Sequence, residues 1–484
     1  MVECLACAID ARLPRRLLCA SRTRLDSREA LIHLQTCRNF RQLKLMHAQI
    51  LKNDLIHDHI LVTKLIRLCS SYRKVDYAIK LFNQLENPLT FTWNIMIRAY
   101  TLNDSPGDAL LLYTLMISCA VPPDKFTFPF VIKACSYAPS VKPGKVIHAH
   151  VIKSGFPSDT YVQNTLMDVY LKFGVLDDAR IVFDKMRVKN VVSWTTMVSG
   201  MVACGELEAS RGVFEHMPVR NVVAWTAMIN GYSRIGQVRE AFEFFHQMQR
   251  ENVRPNEFTL VSLLIACTKL GSSKLGSWVH EYAKKEGFKM GVFLGTALID
   301  MYSKCGSIDN ALKVFNVMPK RNLATWNAMI TSLGVHGHGK EALLLFSDME
   351  KASKIKPDEI TFVAVLSACV QACLVEEGCS YFVSMKHRYG IQPTLEHYRC
   401  MVELLGRASM ILEAHELAKN ILNSDIGMSG GLLNAIASRS NAYSYADMSE
   451  RTGSGASTGR LGRLNRISAC ETVIAFVQAN VNKL

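Results

Sequence analysis

Long apolar runs are missing from this 484-residue sequence. The longest candidate, "ALLLYTLMISCAV" over 109–121, falls short of the roughly 20 residues a membrane-spanning helix needs and fits a buried helix instead. Charge is sparse too, at 20% of residues against 49% hydrophobic ones. Apolar material therefore suffices for a large core, and length alone suggests about three domains. Cysteine is present but not as a disulfide framework. Fifteen are scattered singly, the number is odd, and only Cys4 and Cys7 form a C-x-x-C, so free, mostly buried thiols in a reducing compartment are expected. Acidic residues nearly vanish from the first 24 positions, which hold five Arg, no Lys, and only Glu3 and Asp10. That composition predicts an organelle transit peptide over 1–24, although Ser is sparse there.

Catalytic constellations are lacking as well. None of the fourteen histidines begins an H-x-E, which a zinc deaminase needs to hold metal and shuttle a proton. His280-Glu281 has no second His at zincin spacing. "GVHGHGKE" (334–341) starts like a phosphate loop but places Glu341 where a Ser or Thr hydroxyl must hold Mg²⁺. Cys369, Cys373 and Cys379 fall on one helical stretch as buried thiols rather than metal ligands. The expectation is a non-enzymatic protein with no cofactor, no metal, no small-molecule substrate and no membrane span.

What the chain does have is a repeat. "NVVSWTTMVSG" from Asn190 returns as "NVVAWTAMING" from Asn221, and tryptophans at 93, 194, 225 and 326 are spaced by 101, 31 and 101. Such periods mean stacked supersecondary units. Over 222–256, Trp225, Met228, Ile229 and Tyr232 form one helical stripe, Gly236 marks a break, and Ala241, Phe244, Phe245 and Met248 form a second stripe, with Pro255 expected to stop it. Each hairpin has more apolar surface than it can bury alone, so neighbours must stack into an all-α solenoid. Units of 35, 35 and 31 residues run through 90–124, 125–159 and 160–190. They are followed by 191–221, then 222–256, 257–291 and 292–322, then a slightly longer triplet from 323 to about 424. Two degenerate units lie upstream, at about 27–58 and 59–89, giving about twelve helix-hairpin repeats.

The W-N/T-x-M-I-x-x-Y…G…EA-x-x-x-F-x-x-M…P-D/N pattern resembles the pentatricopeptide repeat family, and the 35/35/31 triplet resembles its P-L-S subclass from plant organelles. The second-type units carry matching marks in "KAC" at Cys135, "IAC" at Cys267 and "SAC" at Cys369, and "IDMYSKCG" (299–306) and "EHYRCMVELLGRA" (396–408) are similar to third members. The resemblance covers about 27–424. It implies a right-handed superhelix that binds single-stranded organellar RNA.

Packing explains the Trp, Met, Ile and Phe positions, but not the polar residue after the aromatic or the last residue before the next unit. In order these are Asn94 with Asp124, Asn164 with Asn190, Thr195 with Asn221, Thr226 with Asn256, Thr296 with Asn322, and Asn327 with Asp358. All can hydrogen-bond a base edge, and one base per repeat is read this way in such proteins. N-capping accounts for the final Asn or Asp but not for the Asn or Thr inside the helix. The family's correspondence takes Asn–Asp as U, Asn–Asn as pyrimidine with C favoured, and Thr–Asn as A, so the units from residue 90 read 5′-U-n-C-A-A-n-A-U. The gaps are second-type units, whose fifth residues Pro129 and Val261 cannot make the contact, and upstream Thr63 is paired with Leu89. The net charge of +14, with +9 between the two terminal segments, suits a polyanion.

After about 424 the chain departs from the family. Residues 425–484 are Ser/Gly-rich with weak periodicity and read as a flexible tail lacking the extension and deaminase-like domains that P-L-S proteins often carry. The predicted function is RNA recognition in editing, processing or stabilisation, with editing or processing proteins supplied in trans. A protein-binding helical scaffold is the alternative. Chloroplast is favoured over mitochondrion as the compartment.

Overall fold

The structure, a computed structural model, describes residues 25–417 apart from 353, 354, 411 and 415. The expected transit peptide over 1–24 and the tail over 425–484 lie outside the described residues. Every regular element among those described is an α-helix, from Ser27–Thr36 to Leu395–Arg407. The described residues divide into two compact units, which meet in sequence between Val219 and Arg220.

The repeat at 222–256 shows how sequence becomes structure. Its first helix, Val222–Ile235, buries Trp225, Met228, Ile229 and Tyr232. Gly236 ends it at φ 83, a left-handed conformation that costs glycine nothing and any β-carbon residue about 1 kcal/mol or more. The second helix, Val238–Arg250, buries Ala241, Phe244, Phe245 and Met248. Burying one such large side chain is worth about 1.5–3 kcal/mol. Pro255 does not stop this helix. It ends at Arg250, and the chain reverses two residues later through Asn252 at φ 59, because an Asn side chain tolerates the left-handed region.

Within each unit the first helices form a row. In the first unit Thr90–Leu102 packs on Phe128–Cys135, which packs on Thr160–Lys172 and so on to Val191–Ala203. In the second, Val222–Ile235 begins the row through Glu257–Leu270, Val292–Lys304, Leu323–Val335, Glu359–Ala372 and Leu395–Arg407. Each second helix packs on the first helix of its own repeat. One apolar core runs through the first unit from Ala30 to Met201, and another joins Leu366, Phe382 and Leu405 in the second.

The glycines of "GVHGHGKE" serve packing. Gly337 turns the chain at φ 81, while a β-carbon on Gly334 or Gly339 would meet Ala368 or Ala372 at 2.8 and 2.4 Å. Helix follows helix here, with no strand before the turn.

Candidate nucleic-acid interface

The first-helix rows bring the polar pairs to the boundaries between repeats. The last residue of a repeat is the N-cap of the next first helix: Asn190, Asn221, Asn256, Asn322 and Asp358 each accept the N–H three residues on. These caps satisfy backbone donors the helix leaves orphaned.

The fifth residue reaches the same place from the preceding helix. Asn94 Nδ2 donates to Asp124 Oδ1 at 2.9 Å, and Asn327 Nδ2 donates to Asp358 Oδ1 at 3.3 Å. Thr226 and Asn256 meet through Thr259, whose Oγ1 is 2.8 Å from Thr226 Oγ1 and 3.0 Å from Asn256 Oδ1. Thr296 and Asn322 meet through Thr325 at 2.8 and 2.9 Å. No hydrogen bond joins Asn164 to Asn190; Asn164 Oδ1 is buried without a partner, and Asn190 accepts from Ser193 instead. Thr195 closes the list of fifth residues by donating to the Val191 carbonyl at 2.7 Å in the first unit, whereas Asn221 caps its helix in the second.

These pairs keep bonding capacity. All the hydrogen bonds that the Asp124 and Asp358 carboxylates accept fall on Oδ1, leaving Oδ2, and the Asn94 and Asn327 amides each retain a second N–H. Burial pushes the Asp358 carboxyl up, but donors from the Thr361 hydroxyl and N–H and the Asn327 amide outweigh it and hold it below its ordinary range. It is therefore a carboxylate near neutral pH. An open cavity of about 890 Å³ is lined by Asn327, Asp358, Ile360, Thr331, Asp300 and Lys304, among others.

Two further rows flank the pairs, and the repeat pattern had not singled them out. The second residue of many repeats is a large exposed apolar group, although Ala324 and Glu396 interrupt the row. In the first unit these are Phe91, Phe126, Tyr161 and Val192, and in the second Val223, Phe258, Phe293 and Ile360, each at least half exposed. Two positions before the buried aromatic means about 200° round the helix, on the opposite face. Phe258 and Phe293 sit 6.0 Å apart, ring centre to ring centre. The signal was an apolar residue recurring outside the core stripe. The thirteenth residue is often basic and exposed: Lys172 in the first unit, and Arg234, Lys269, Lys304 and Arg407 in the second. Lys304 pairs with Asp300 at 2.9 Å and Arg407 with Glu403 at 3.1 Å, while Arg234 and Lys269 form no ion pair among the described residues.

The second-type units lack the pair. Pro129 is buried at the fifth position of 125–159, and Gly291 ends 257–291 without a capping side chain. There Glu257 reaches from the preceding first helix, accepting the Leu294 N–H at 2.9 Å. Among the described residues no group of three or more His, Cys, Asp or Glu could hold a metal ion, and no helix is long and apolar enough to cross a membrane.

Comparison with known proteins agrees with this architecture. The sequence pattern of the PPR repeat matches residues 91–121, 164–191, 192–222, 296–323 and 360–389, and that of the PPR repeat family matches 220–269 and 321–371. A chloroplastic pentatricopeptide repeat-containing protein of Arabidopsis thaliana is 56% identical over 396 residues, 82% of this chain and 87% of that protein. A second from the same plant is 41% identical over 410 residues, 84% of this chain and 77% of its own length. The chain spans 63% of a third, which is 38% identical. Among solved structures, the maize pentatricopeptide repeat protein PPR10 has a similar fold, with a TM-score of 0.61 at 18% identity over 93% of this chain and 69% of that one. That likeness is to an α-solenoid.

Proposed function

The chain belongs to the pentatricopeptide repeat family, whose repeats are non-catalytic, and from that premise we propose that it is a sequence-selective binder of single-stranded organellar RNA. The observation that carries the reading is the recurrence, at the Asn94–Asp124 and Asn327–Asp358 boundaries, of unspent polar atoms beside an exposed apolar side chain, Phe126 and Ile360. A single strand offers one base edge and one π-face per nucleotide, and a repeat offers one partner for each.

The chemistry of the pairs supports the base assignment. Asp124 Oδ2 is an acceptor and the second Asn94 N–H is a donor. Uracil presents a donor at N3–H beside a carbonyl acceptor, the complement of that pair. The same holds at Asn327 and Asp358. The thirteenth-position cations add phosphate contacts that do not depend on sequence. On this reading residues 25–424 form a P-L-S repeat region that faces 5′-U-n-C-A-A-n-A-U, with the second-type units silent. The compartment is the chloroplast, as for the 56% identical relative. The outcome is editing-site recognition or transcript processing, with the chemistry supplied by a partner in trans.

The test is binding of the full chain to an RNA containing UNCAANAU against a scrambled control, across a salt series. Changing Thr226 and Asn256 to Asn and Asp should move the preferred base at that register from A to U. Tight but indifferent, salt-sensitive binding would leave only a basic surface, and no binding would favour a protein-binding scaffold.

A further inference from the structure

At four boundaries a third side chain stands behind the pair. Thr127, Thr259, Thr325 and Thr361 are the third residues of their repeats, and all are fully buried. Thr361 Oγ1 lies 2.8 Å from both Asn327 Oδ1 and Asp358 Oδ1, and accepts the Asp358 N–H at 3.2 Å. Thr127 Oγ1 lies 2.6 Å from Asn94 Oδ1 and 3.0 Å from Asp124 Oδ1. An ionised carboxylate only accepts, so each Asn turns its NH₂ toward the Asp. The hydroxyl, whose one hydrogen is shared between the two oxygens, is then the donor that faces the amide oxygen and keeps it out of the groove.

Resting on the polar-pair reading above, we propose that these threonines are positioning residues for base recognition. Thr127 and Thr361 determine that Asn94 and Asn327 present a donor, not an acceptor, to the base. Asn164 provides the internal contrast. The residue in the equivalent place, Ser193, is also fully buried, but its hydroxyl goes to Asn190 Oδ1 at 3.0 Å, and Asn164 Oδ1 is left buried and unpartnered. An amide that no hydrogen bond fixes can turn and offer either its oxygen or its nitrogen. Such a position accepts cytosine, whose N4 amine is a donor, as readily as uracil.

Replacing Thr361 with valine keeps the shape and removes the donor. The Asn327 oxygen then gains its missing bond by turning toward the groove, where it favours cytosine. The experiment measures binding of the full-length protein to RNAs carrying U or C opposite the 323–358 repeat, and separately opposite 90–124 and 160–190. In Thr361→Val the U-over-C preference should fall by about three- to tenfold at the first of these positions only, the equivalent of one hydrogen bond. Thr127→Val should do the same opposite 90–124, Thr361→Ser should restore the wild-type preference, and Ser193→Ala should leave the base preference opposite 160–190 unmoved. Wild-type protein that ignores U against C at both Asn–Asp positions would overturn the pair reading, and this assignment with it. Wild-type preference retained in both valine variants would overturn the positioning role alone. So would an equal shift in Ser193→Ala, or loss of all RNA binding in both valine variants, which would make the threonines purely structural.

Discussion

The backbone N–H of Thr394 donates to Nδ1 of His397 across 3.0 Å, while His397 Nε2 lies 2.9 Å from the Glu359 carbonyl of the preceding first helix. Nδ1 must therefore be unprotonated and Nε2 must carry the hydrogen. His397 is fully buried, and burial holds its pKa below the ordinary histidine value despite opposing effects of the Glu359 carbonyl and carboxylate and of Glu396. The unfolded chain then binds the extra proton first, so stability is complete above the unfolded pKa of about 6.5 and is lost as pH falls through the lower folded value. Burial lowers His47, His148 and His280 in the same direction. The midpoint of thermal unfolding should drop between pH 7 and pH 5. His397→Gln, which keeps a capping-box side chain, should flatten part of that drop, and an unchanged pH profile in the variant would refute the assignment.

At Asn256 the atoms that cap the helix are the ones proposed above to read a base, and substitution separates the two roles. Asn and Asp cap helices about equally, whereas Ala costs about 1 kcal/mol. Asn256→Asp should leave the melting temperature unchanged while altering which base is preferred beside Thr226. Asn256→Ala should lower both stability and preference. A base preference untouched by Asn256→Asp would mean that the residue is a cap and nothing more.

The hairpins were legible because their determinants are local: the Trp225 stripe, the Gly236 turn and the Asn221 cap each lie within a few residues. The polar pairs were legible because they recur where packing demands nothing polar. What stayed hidden depends on the neighbouring repeat. Nothing in "NEFT" announces that Thr259 will bond Thr226, since that contact spans 33 residues and exists only once first helices stack. Phe258 was hidden differently, because an apolar residue beside a core stripe is normally counted as core. The Pro255 stop was misplaced because Asn252 adopts the left-handed conformation usually left to glycine.

Exposed Phe258 and Phe293 contribute little to the core, so their removal should spare the fold. Stacking a base on an aromatic ring is worth about 1–3 kcal/mol by alanine substitution. Phe293→Ala should weaken RNA binding by at least several-fold, with the thermal midpoint unchanged and the order of base preferences kept. A variant that binds as tightly as wild type would remove the second-position row from the interface.

The thirteenth-position cations should behave in the opposite way to the pairs, because a phosphate is the same whatever base it carries. Each phosphate contact on a single strand contributes about 0.7 to the slope of log affinity against log salt. Arg234 and Lys269 are exposed and carry no ion pair among the described residues, so neither has an internal partner to give up on binding. Arg234→Gln and Lys269→Gln should each make the slope shallower by about 0.7 and weaken the UNCAANAU and scrambled RNAs by the same factor. Lys304→Gln should do less, because in the free protein that ammonium already sits 2.9 Å from Asp300 and breaking an exposed pair of this kind returns about 0–1 kcal/mol. If instead the two glutamine variants discriminated between the RNAs, these side chains would be touching bases, and the division between backbone contacts and base readout along the first helices would have to be redrawn.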